Sequence, residues 1–216
     1  MMVELLKAIE SRFPLKEKEV GQWKQMKVSG MKFTIRAFEA EGLGHVSAMS
    51  AKGFFGLMQM DTLIINPTKK DLPLYSYDRV HAMGNDTLIV ELYDTLLGAC
   101  DLSGLAQVKE QNGDLPDHDL GEHWYDSIKL AESVSKKGKK QQTHRFDILA
   151  GMHLAAYLET NPRMAAVDAD AKRTKAAVYV DGLLQNGGPS TDVFKKALGD
   201  EKTAQLFREV LFGTSV

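Results

Sequence analysis

Residues 71–93 read DLPLYSYDRVHAMGNDTLIVELY, and this stretch decides the fold. It contains two runs, Leu74 to Ala82 and Thr87 to Tyr93, with the length and the aromatic and β-branched content of strands. The turn-forming residues Gly84-Asn85-Asp86 lie between them. Because parallel strands need a far longer crossover, so short a connection predicts an antiparallel hairpin.

More strands are predicted upstream of this hairpin. From Met31 apolar and polar residues alternate with a period of two, which is typical of a strand with one solvated face. Glycines at 42 and 44 introduce another strand. A mainly apolar run, Phe54 to Ile65, predicts a third that ends at Asn66-Pro67.

Helical spacing dominates the two ends of the chain. Leu5, Ile9 and Phe13 recur at intervals of four, and a second short helix is predicted from Lys16 to Met26. The C-terminal half is predicted to be helical, with a polar surface excursion at residues 101–121. Three longer helices are predicted there: Glu122 to Val134, a helix capped by Thr143 that ends at Asn161-Pro162, and Arg163 to Leu184. Two short helices follow Gly187-Gly188-Pro189. Ser190 or Thr191 is predicted to cap the first of them, and Asp200 the second. Strands followed by helices indicate an α+β fold, expected here as a single domain over residues 1–216.

Composition excludes several classes of protein. Hydrophobic residues make up 44% of the 216, charged residues 26%, and the formal net charge is −2, so the chain is expected to fold and to have neither nucleic acid nor membrane as a partner. The only cysteine is Cys100, which fits a reducing compartment and an inert, buried thiol better than a nucleophile. The N-terminus lacks the pattern of a signal peptide, and a cytoplasmic location is expected.

Local motifs for nucleotides and metals are absent from the sequence. There is no glycine loop of the GxGxxG or GxxxxGK[ST] kind. Acidic residues and histidines crowd together between Asp117 and His123, but the spacing matches no compact ligand pattern, and a solvated loop is the favoured interpretation over a metal site. No metal site is therefore predicted.

The segment from Asp71 to Val80, followed by a turn and the strand Leu88 to Leu92, resembles the ferredoxin-dependent bilin reductases. The strand ending in Asn66-Pro67 also fits that family's pattern. The run Leu206-Phe207-Arg208-Glu209-Val210-Leu211-Phe212 is similar to its closing helix, as are Tyr179 to Gln185 and Val193 to Gly199. On these residues the related red chlorophyll catabolite reductases cannot be separated from the bilin reductases.

The resemblance implies a three-layer α/β/α sandwich with a central antiparallel sheet. A linear tetrapyrrole, a bilin or a chlorophyll catabolite, would lie between the sheet and the C-terminal helices. Ferredoxin would deliver electrons singly, with no tightly bound cofactor. Asp78 would be the catalytic proton donor, because desolvation beside a pigment favours the neutral form of a carboxyl group; a surface aspartate paired with Arg79 is the alternative.

Further binding residues are predicted with less support from motifs. The position of a family glutamate falls at Met49, Ser50 or Ala51, of which Met49 is the predicted binding residue, and Asn66 ends the matched strand. Arg36 and Arg145, and also Lys52, are candidates for pairing with propionate carboxylates. His153 lies on the apolar side of its predicted helix, as a core residue or a wall of the pocket, and His81 is expected on the strand face opposite Asp78.

The sequence departs from the family at its other acid and base positions. No histidine lies near Asp61 or Thr62, and the expected second aspartate falls at Asn186-Gly187-Gly188, unless Asp192 substitutes for it. Three hypotheses follow. The chain is a reductase, a non-catalytic tetrapyrrole or haem-related carrier, or an unrelated protein on a common fold. The lysine-rich run Lys136 to Lys140 is predicted to be either a ferredoxin-docking segment or a solvated interhelical loop.

Overall fold

The structure is a computed structural model that describes residues 1–164 and 166–215, without the side chain of residue 189. The strands are β1 (Leu15–Lys18), β2 (Gln25–Val28), β3 (Met31–Ala40), β4 (Gly44–Gly53), β5 (Met58–Asn66), β6 (Leu74–Ala82), β7 (Asn85–Tyr93) and β8 (Val134–Lys139). The helices are α1 (Met2–Glu10), α2 (Ser103–Gln111), α3 (Thr143–Glu159), α4 (Ala169–Asn186), α5 (Pro189–Leu198) and α6 (Asp200–Gln205), which a π-helical turn (Leu206–Leu211) extends.

In the described part of the chain, the eight strands form one antiparallel sheet. Its order is β1-β3-β4-β5-β6-β7-β8, and β2 shares the outer edge of β3 with β1. Strand β6 has the predicted bounds, and Met83-Gly84 connects it to β7, so the predicted hairpin is confirmed. The α+β fold with a central antiparallel sheet is likewise confirmed.

Side-chain alternation along the strands produces two different faces, because successive residues point to opposite sides of a sheet. The closed face carries Tyr75, Tyr77 and Arg79 of β6 and is covered by α1, α2 and α3. The cavity face carries Ser76 and Asp78 of the same strand and is covered by α4, α5 and α6. The sheet therefore separates two cores in a three-layer arrangement.

Two predicted helices are wrong. Residues 16–26 form β1, a 3-10 turn and β2, because both strands complete the ladder along β3, and this pairing overrides a weak local pattern. The segment from Glu122 to Val134 holds only a 3-10 turn at Asp126–Ile128. The lysine run after it is neither a loop nor interhelical, since most of it belongs to β8, whose Val134–Lys139 pairs with β7.

Other element boundaries also differ from the prediction. The strand expected from Phe54 begins at Met58, because a 3-10 turn occupies Phe54–Gly56. The polar excursion contains α2, and α4 starts at Ala169, where the Asp168 carboxylate accepts the backbone N–H groups of residues 170 and 171.

Three predicted caps are also wrong. Thr143 is the first residue of α3, and its hydroxyl donates to Asp86 at 2.5 Å instead of capping the helix. Helix α5 starts after Gly188 and has no side-chain cap, and Asp200 is the first residue of α6. Of the helices in the described ranges, none is both long and apolar enough to span a bilayer.

Candidate functional site

A cavity of about 220 Å³ lies between the cavity face of the sheet and helices α4 to α6. Ser190 lines it and is exposed, so the cavity reaches the surface there. Its volume is below the roughly 300–1,000 Å³ typical of ligand pockets, and a larger ligand must extend through this opening or displace the helices. The apolar and aromatic lining includes Met49, Met60, Ile64, Val80, Ile89, Tyr93, Tyr125, Tyr179, Leu183, Phe194, Phe207, Leu211 and Phe212.

Asp78 is the carboxyl group on the floor of this cavity. Strand pairing places Thr62 of β5 directly opposite it, and the Thr62 hydroxyl donates to Asp78 Oδ1 at 2.5 Å. The pKa of Asp78 is raised to about 6, mainly by desolvation; the Thr62 hydrogen bond opposes this rise and the nearby charge of Glu91 adds to it. Asp78 therefore exchanges a proton close to neutral pH, as a general acid requires.

Glu91 is a second carboxyl group on the same wall. It lies on β7, diagonally across from Asp78, whose direct partner is Ile89. The Tyr93 hydroxyl donates to Glu91 Oε2 at 2.6 Å, whereas Oε1 has no hydrogen-bond partner among the described residues and lies 3.7 Å from the Lys129 ammonium. A buried carboxylate oxygen without a partner is costly in a folded chain, and this one is available to a ligand that donates hydrogen bonds.

The segment before β8 supplies the third ionisable group, His123, together with Tyr125. Their rings stack with centroids 4.8 Å apart, and no group in the described part of the chain forms a hydrogen bond with His123 Nδ1. Trp124 between them packs over α4, where its indole N–H donates to the Gly187 carbonyl at 3.1 Å. Gly182 permits this packing, because a Cβ atom there would lie 2.2 Å from the indole ring.

Three polar side chains at one end of β4 and β5 fix the last helical turn against the sheet. His45 and Ser47 bond to the carbonyls of Val210 and Leu211 at 2.8 and 2.7 Å. Asn66 donates to the Phe212 carbonyl at 2.8 Å. These bonds satisfy carbonyls that a helix end leaves unpaired, and they hold three cavity-lining residues in place, namely Phe207, Leu211 and Phe212.

Asp78 and Met49 are the only predicted site residues that the structure places among the lining of this cavity, within the residues it describes. Asn66 is buried beside it, with a positioning role toward the last helical turn. Arg36 is outside the cavity and forms a bidentate pair with Glu17, with bonds of 2.9 and 2.8 Å. Arg145 is also outside and pairs with Asp114 at 2.8 Å.

Two histidines and a lysine from the sequence analysis also lie elsewhere. His153 belongs to the closed face, is fully buried and bonds to the Glu132 carbonyl at 3.1 Å, and burial lowers its pKa to about 4. His81 lies on the strand face opposite to that of Asp78, as expected, and its Nδ1 lies 3.2 Å from Asp86. Lys52 is exposed near the far end of β4.

The remaining candidates do not extend this site. Asp192 packs against Gly187 and does not line the cavity, so it supplies no second acid there. Cys100 also lies outside it, and burial raises the pKa of its thiol. Over residues 1–164 and 166–215, no three His, Cys, Asp or Glu side chains are grouped so that they could hold a metal ion.

Sequence reasoning missed Glu91 and His123. Glu91 had a signal, because an ionisable residue interrupts the apolar run Leu88 to Leu92. Only the register with β6 places it on the same face as Asp78. His123 was assigned to a solvated loop, and nothing local indicates that this loop packs over α4.

An antiparallel sheet between two helical layers is also the fold of a protein of known structure. Tomato phytochromobilin synthase, whose crystal structure was solved in complex with biliverdin, is similar to this chain with a TM-score of 0.76. The two are 12% identical, and the match covers 99% of this chain and 82% of that one. Neither a family model nor a curated protein sequence matches the chain. At such low identity the likeness shows a common fold alone.

Proposed function

We propose that the cavity binds a linear tetrapyrrole and that the protein reduces it, with Asp78 as proton donor and an external ferredoxin as electron donor. The observation that carries the proposal is Asp78 itself. It is a carboxyl group with a pKa of about 6, on the floor of an aromatic cavity, in a fold shared with a protein that was solved with biliverdin bound.

The chemistry of the walls suits a long conjugated pigment. Flat π-systems stack favourably against aromatic side chains, and Tyr93 and Tyr179 already stack with ring centroids 4.1 Å apart. The pyrrole N–H groups of a bilin are donors, and Asp78 and Glu91 offer carboxylate acceptors on one wall. A cavity that combines a mainly apolar lining with a few convergent polar groups is the usual form of a small-molecule site.

The geometry also provides for proton transfer. Reduction of one double bond consumes two electrons and two protons, and Asp78 supplies one proton as its pKa matches near-neutral conditions. The Thr62 hydroxyl holds one Asp78 oxygen, which leaves the other for the pigment. Glu91 and His123 are the nearby groups that we assign to the second proton, in place of the acid and base residues that this chain lacks. No tightly bound cofactor is required.

The alternative is a non-catalytic tetrapyrrole carrier. One observation favours it: Met49, at or next to the strand position where the resemblance implies glutamate, lines the cavity without an acid group, and Asp192 does not line it. A carrier would bind pigment through the same walls without turning it over. The two functions differ in whether the bound pigment receives electrons from ferredoxin together with the protons, one of them from Asp78.

Anaerobic titration with biliverdin, followed by addition of reduced ferredoxin, separates these cases. A reductase gives a visible absorbance shift on binding and then a second change on reduction, and Asp78→Asn retains the first and loses the second. Binding by the unaltered protein without any ferredoxin-dependent change identifies a carrier. Absence of binding rejects both functions for this pigment.

A further inference from the structure

Four large apolar side chains project from two hairpins at one end of the sheet. Phe54, Phe55 and Leu57 belong to the connection between β4 and β5, and Met83 to the turn between β6 and β7. Phe55 is fully exposed, and Phe54, Leu57 and Met83 are 58%, 66% and 89% exposed. The Met83 N–H donates to the Leu57 carbonyl at 3.4 Å, so the two hairpins adjoin. We name these four residues the apolar tip.

The backbone of the apolar tip is also unfavourable for its side chains. Phe54, Phe55 and Met83 have φ angles of 52°, 55° and 50°, in the left-handed region that favours glycine or asparagine. Strained positions of this kind persist at ligand and partner sites, where the side chain has a use that folding alone does not explain. Folding of this chain gives no reason for aromatic residues here.

A row of lysines crosses the sheet just behind the apolar tip. Lys27 pairs with Lys32 across β2 and β3, and Lys32 pairs with Lys52 across β3 and β4. Like charges directly opposite one another destabilise a sheet. All three lysines are exposed, and none forms an ion pair with another described residue.

Charge is strongly segregated at this end of the molecule. The segments 27–32, 52–59, 81–85 and 137–142 contain six of the 27 basic residues of the chain and none of its 29 acidic ones. Lys140 adjoins the second hairpin, because its N–H donates to the Gly84 carbonyl at 3.2 Å. A chain with a net charge of −2 therefore has one cationic end.

We propose that this end of the sheet docks on the surface of an anionic lipid bilayer. The lysine row lies two residues behind Phe54, about 7 Å at the usual rise of a strand. Peripheral apolar groups enter the boundary between headgroups and acyl chains to about 5–10 Å, so inserted phenylalanines bring the lysines level with lipid phosphates. Lysine stems lie along apolar surface while their ammonium groups remain at the headgroups.

The shape of the apolar tip favours lipid over an acidic protein. Four separate side chains on two hairpin ends form a convex projection, which a protein partner would have to match with a preformed pocket. A bilayer accepts such a projection without one. This surface attachment departs from the expectation of no membrane partner, which rested on net charge alone.

Vesicle co-sedimentation tests the proposal on the full chain without pigment. Vesicles of phosphatidylcholine mixed with phosphatidylglycerol are expected to bind the protein, and vesicles of phosphatidylcholine alone are not. Binding is expected to weaken as salt is raised, since the attraction is partly electrostatic. No binding to the anionic vesicles would overturn the proposal, and retention on an immobilised acidic protein in that case would indicate a protein partner.

Two variants separate docking from folding. Phe55→Gly is expected to weaken vesicle binding at least about tenfold while stability to urea stays level or rises, because glycine accepts the left-handed backbone. The triple change Lys27→Gln, Lys32→Gln and Lys52→Gln is expected to cost about a hundredfold, at about fivefold for each lysine.

The matched controls alter exposed residues elsewhere, namely Val178→Ala and the triple change Lys16→Gln, Lys196→Gln and Lys202→Gln. They are expected to bind vesicles like the unaltered protein. Equal losses of vesicle binding in the Phe55→Gly or triple-lysine variant and in its matched control would overturn the proposal.

Discussion

Strands β6 and β7 place ionisable side chains on both faces of the sheet, and the two faces treat them differently. On the closed face, Arg79 and Asp86 are each 1% exposed, and Arg79 Nη2 lies 2.7 Å from Asp86 Oδ2. On the cavity face, the carboxyl groups Asp78 and Glu91 accept hydrogen bonds only from hydroxyl groups, within the described residues. Removing one partner of a directly bonded buried pair destabilises a fold, whereas a carboxyl group at a cavity without a directly bonded counter-charge is available for chemistry. The Lys129 ammonium lies 3.7 Å from Glu91, beyond hydrogen-bond distance.

The closed face adds further bonds to its ion pair. Arg79 also donates to the Thr143 carbonyl at 3.0 Å and lies over the Phe146 ring at 5.1 Å, and the Thr143 hydroxyl donates to Asp86. This network attaches the start of α3 to the sheet. Helix α4 is attached in a similar way, since the buried Lys172 ammonium lies 3.3 Å from Asp71 and donates to the carbonyls of Leu72 and Thr95.

The largest expected effect comes from breaking the pair on the closed face. Arg79→Met leaves the Asp86 carboxylate buried without its counter-charge and is expected to lower the free energy of unfolding by about 3–5 kcal/mol. Urea denaturation at pH 7 measures this. The double variant Arg79→Met with Asp86→Leu is expected to be more stable than Arg79→Met alone. A further loss of stability in the double variant would show that the unpaired Asp86 charge is not the cause of the destabilisation.

On the cavity face, Asp78→Asn is expected to slow pigment reduction at least about a hundredfold, which is the usual contribution of a general acid. The same change is expected to stabilise the protein. The pKa of Asp78 in the folded chain, about 6, lies above its usual value of 3.8, so folding favours the protonated form and stability falls as pH rises through 6.

Asparagine remains uncharged, and the gain at pH 7 is about 2 kcal/mol after allowance for solvent that reaches Asp78 through the cavity. Urea denaturation between pH 4 and pH 8 provides the check. A stability difference that does not change with pH would refute the assignment.

A smaller effect is expected at Glu91, because His123 remains to supply the second proton when Glu91 is replaced. Its charge raises the pKa of Asp78, so Glu91→Gln is expected to lower that pKa. Because only protonated Asp78 donates, the fall in reduction rate with rising pH is expected to begin at a lower pH than in the unaltered protein. A pH–rate profile measures the shift, and an unmoved profile would argue against coupling of the two carboxyl groups.

The smallest effects are expected for the two surface arginines. Arg36→Gln and Arg145→Gln each break an exposed pair, with Glu17 and Asp114, and are expected to leave the midpoint of urea denaturation almost unchanged because solvent screens such pairs. Pigment affinity should stay unchanged, because neither residue lines the cavity. A clear loss of affinity in an absorbance titration would restore them as pigment-binding residues.

Periodicity was a reliable guide where a strand has one apolar and one polar side. Strand β3 was predicted this way, and the N-terminal helix from its spacing of four. It failed for β8, whose sequence VSKKGK lacks the composition of a strand. Pairing with β7 stabilises this strand. Burial of Lys136 is tolerated because its ammonium group donates to the Leu115 carbonyl and to Asp117.

The candidate site was predictable only in part, for a related reason. Asp78 and Met49 were singled out because a family resemblance covers their strands. Glu91 reaches the cavity through its register with β6, and His123 through the packing of Trp124 on α4. Both placements depend on contacts with residues distant in sequence, and local sequence patterns do not reveal such contacts.

The central claim, that this cavity holds a linear tetrapyrrole, is tested most directly by blocking it. Ser76 lies on its floor, and Ser76→Phe fills space there, whereas Thr34→Phe alters an exposed strand position on the other face as a control. Biliverdin titration followed by visible absorbance is expected to show one equivalent bound by the unaltered protein and the control, and none by Ser76→Phe. Equal binding by Ser76→Phe, with its fold intact by circular dichroism, would contradict the account.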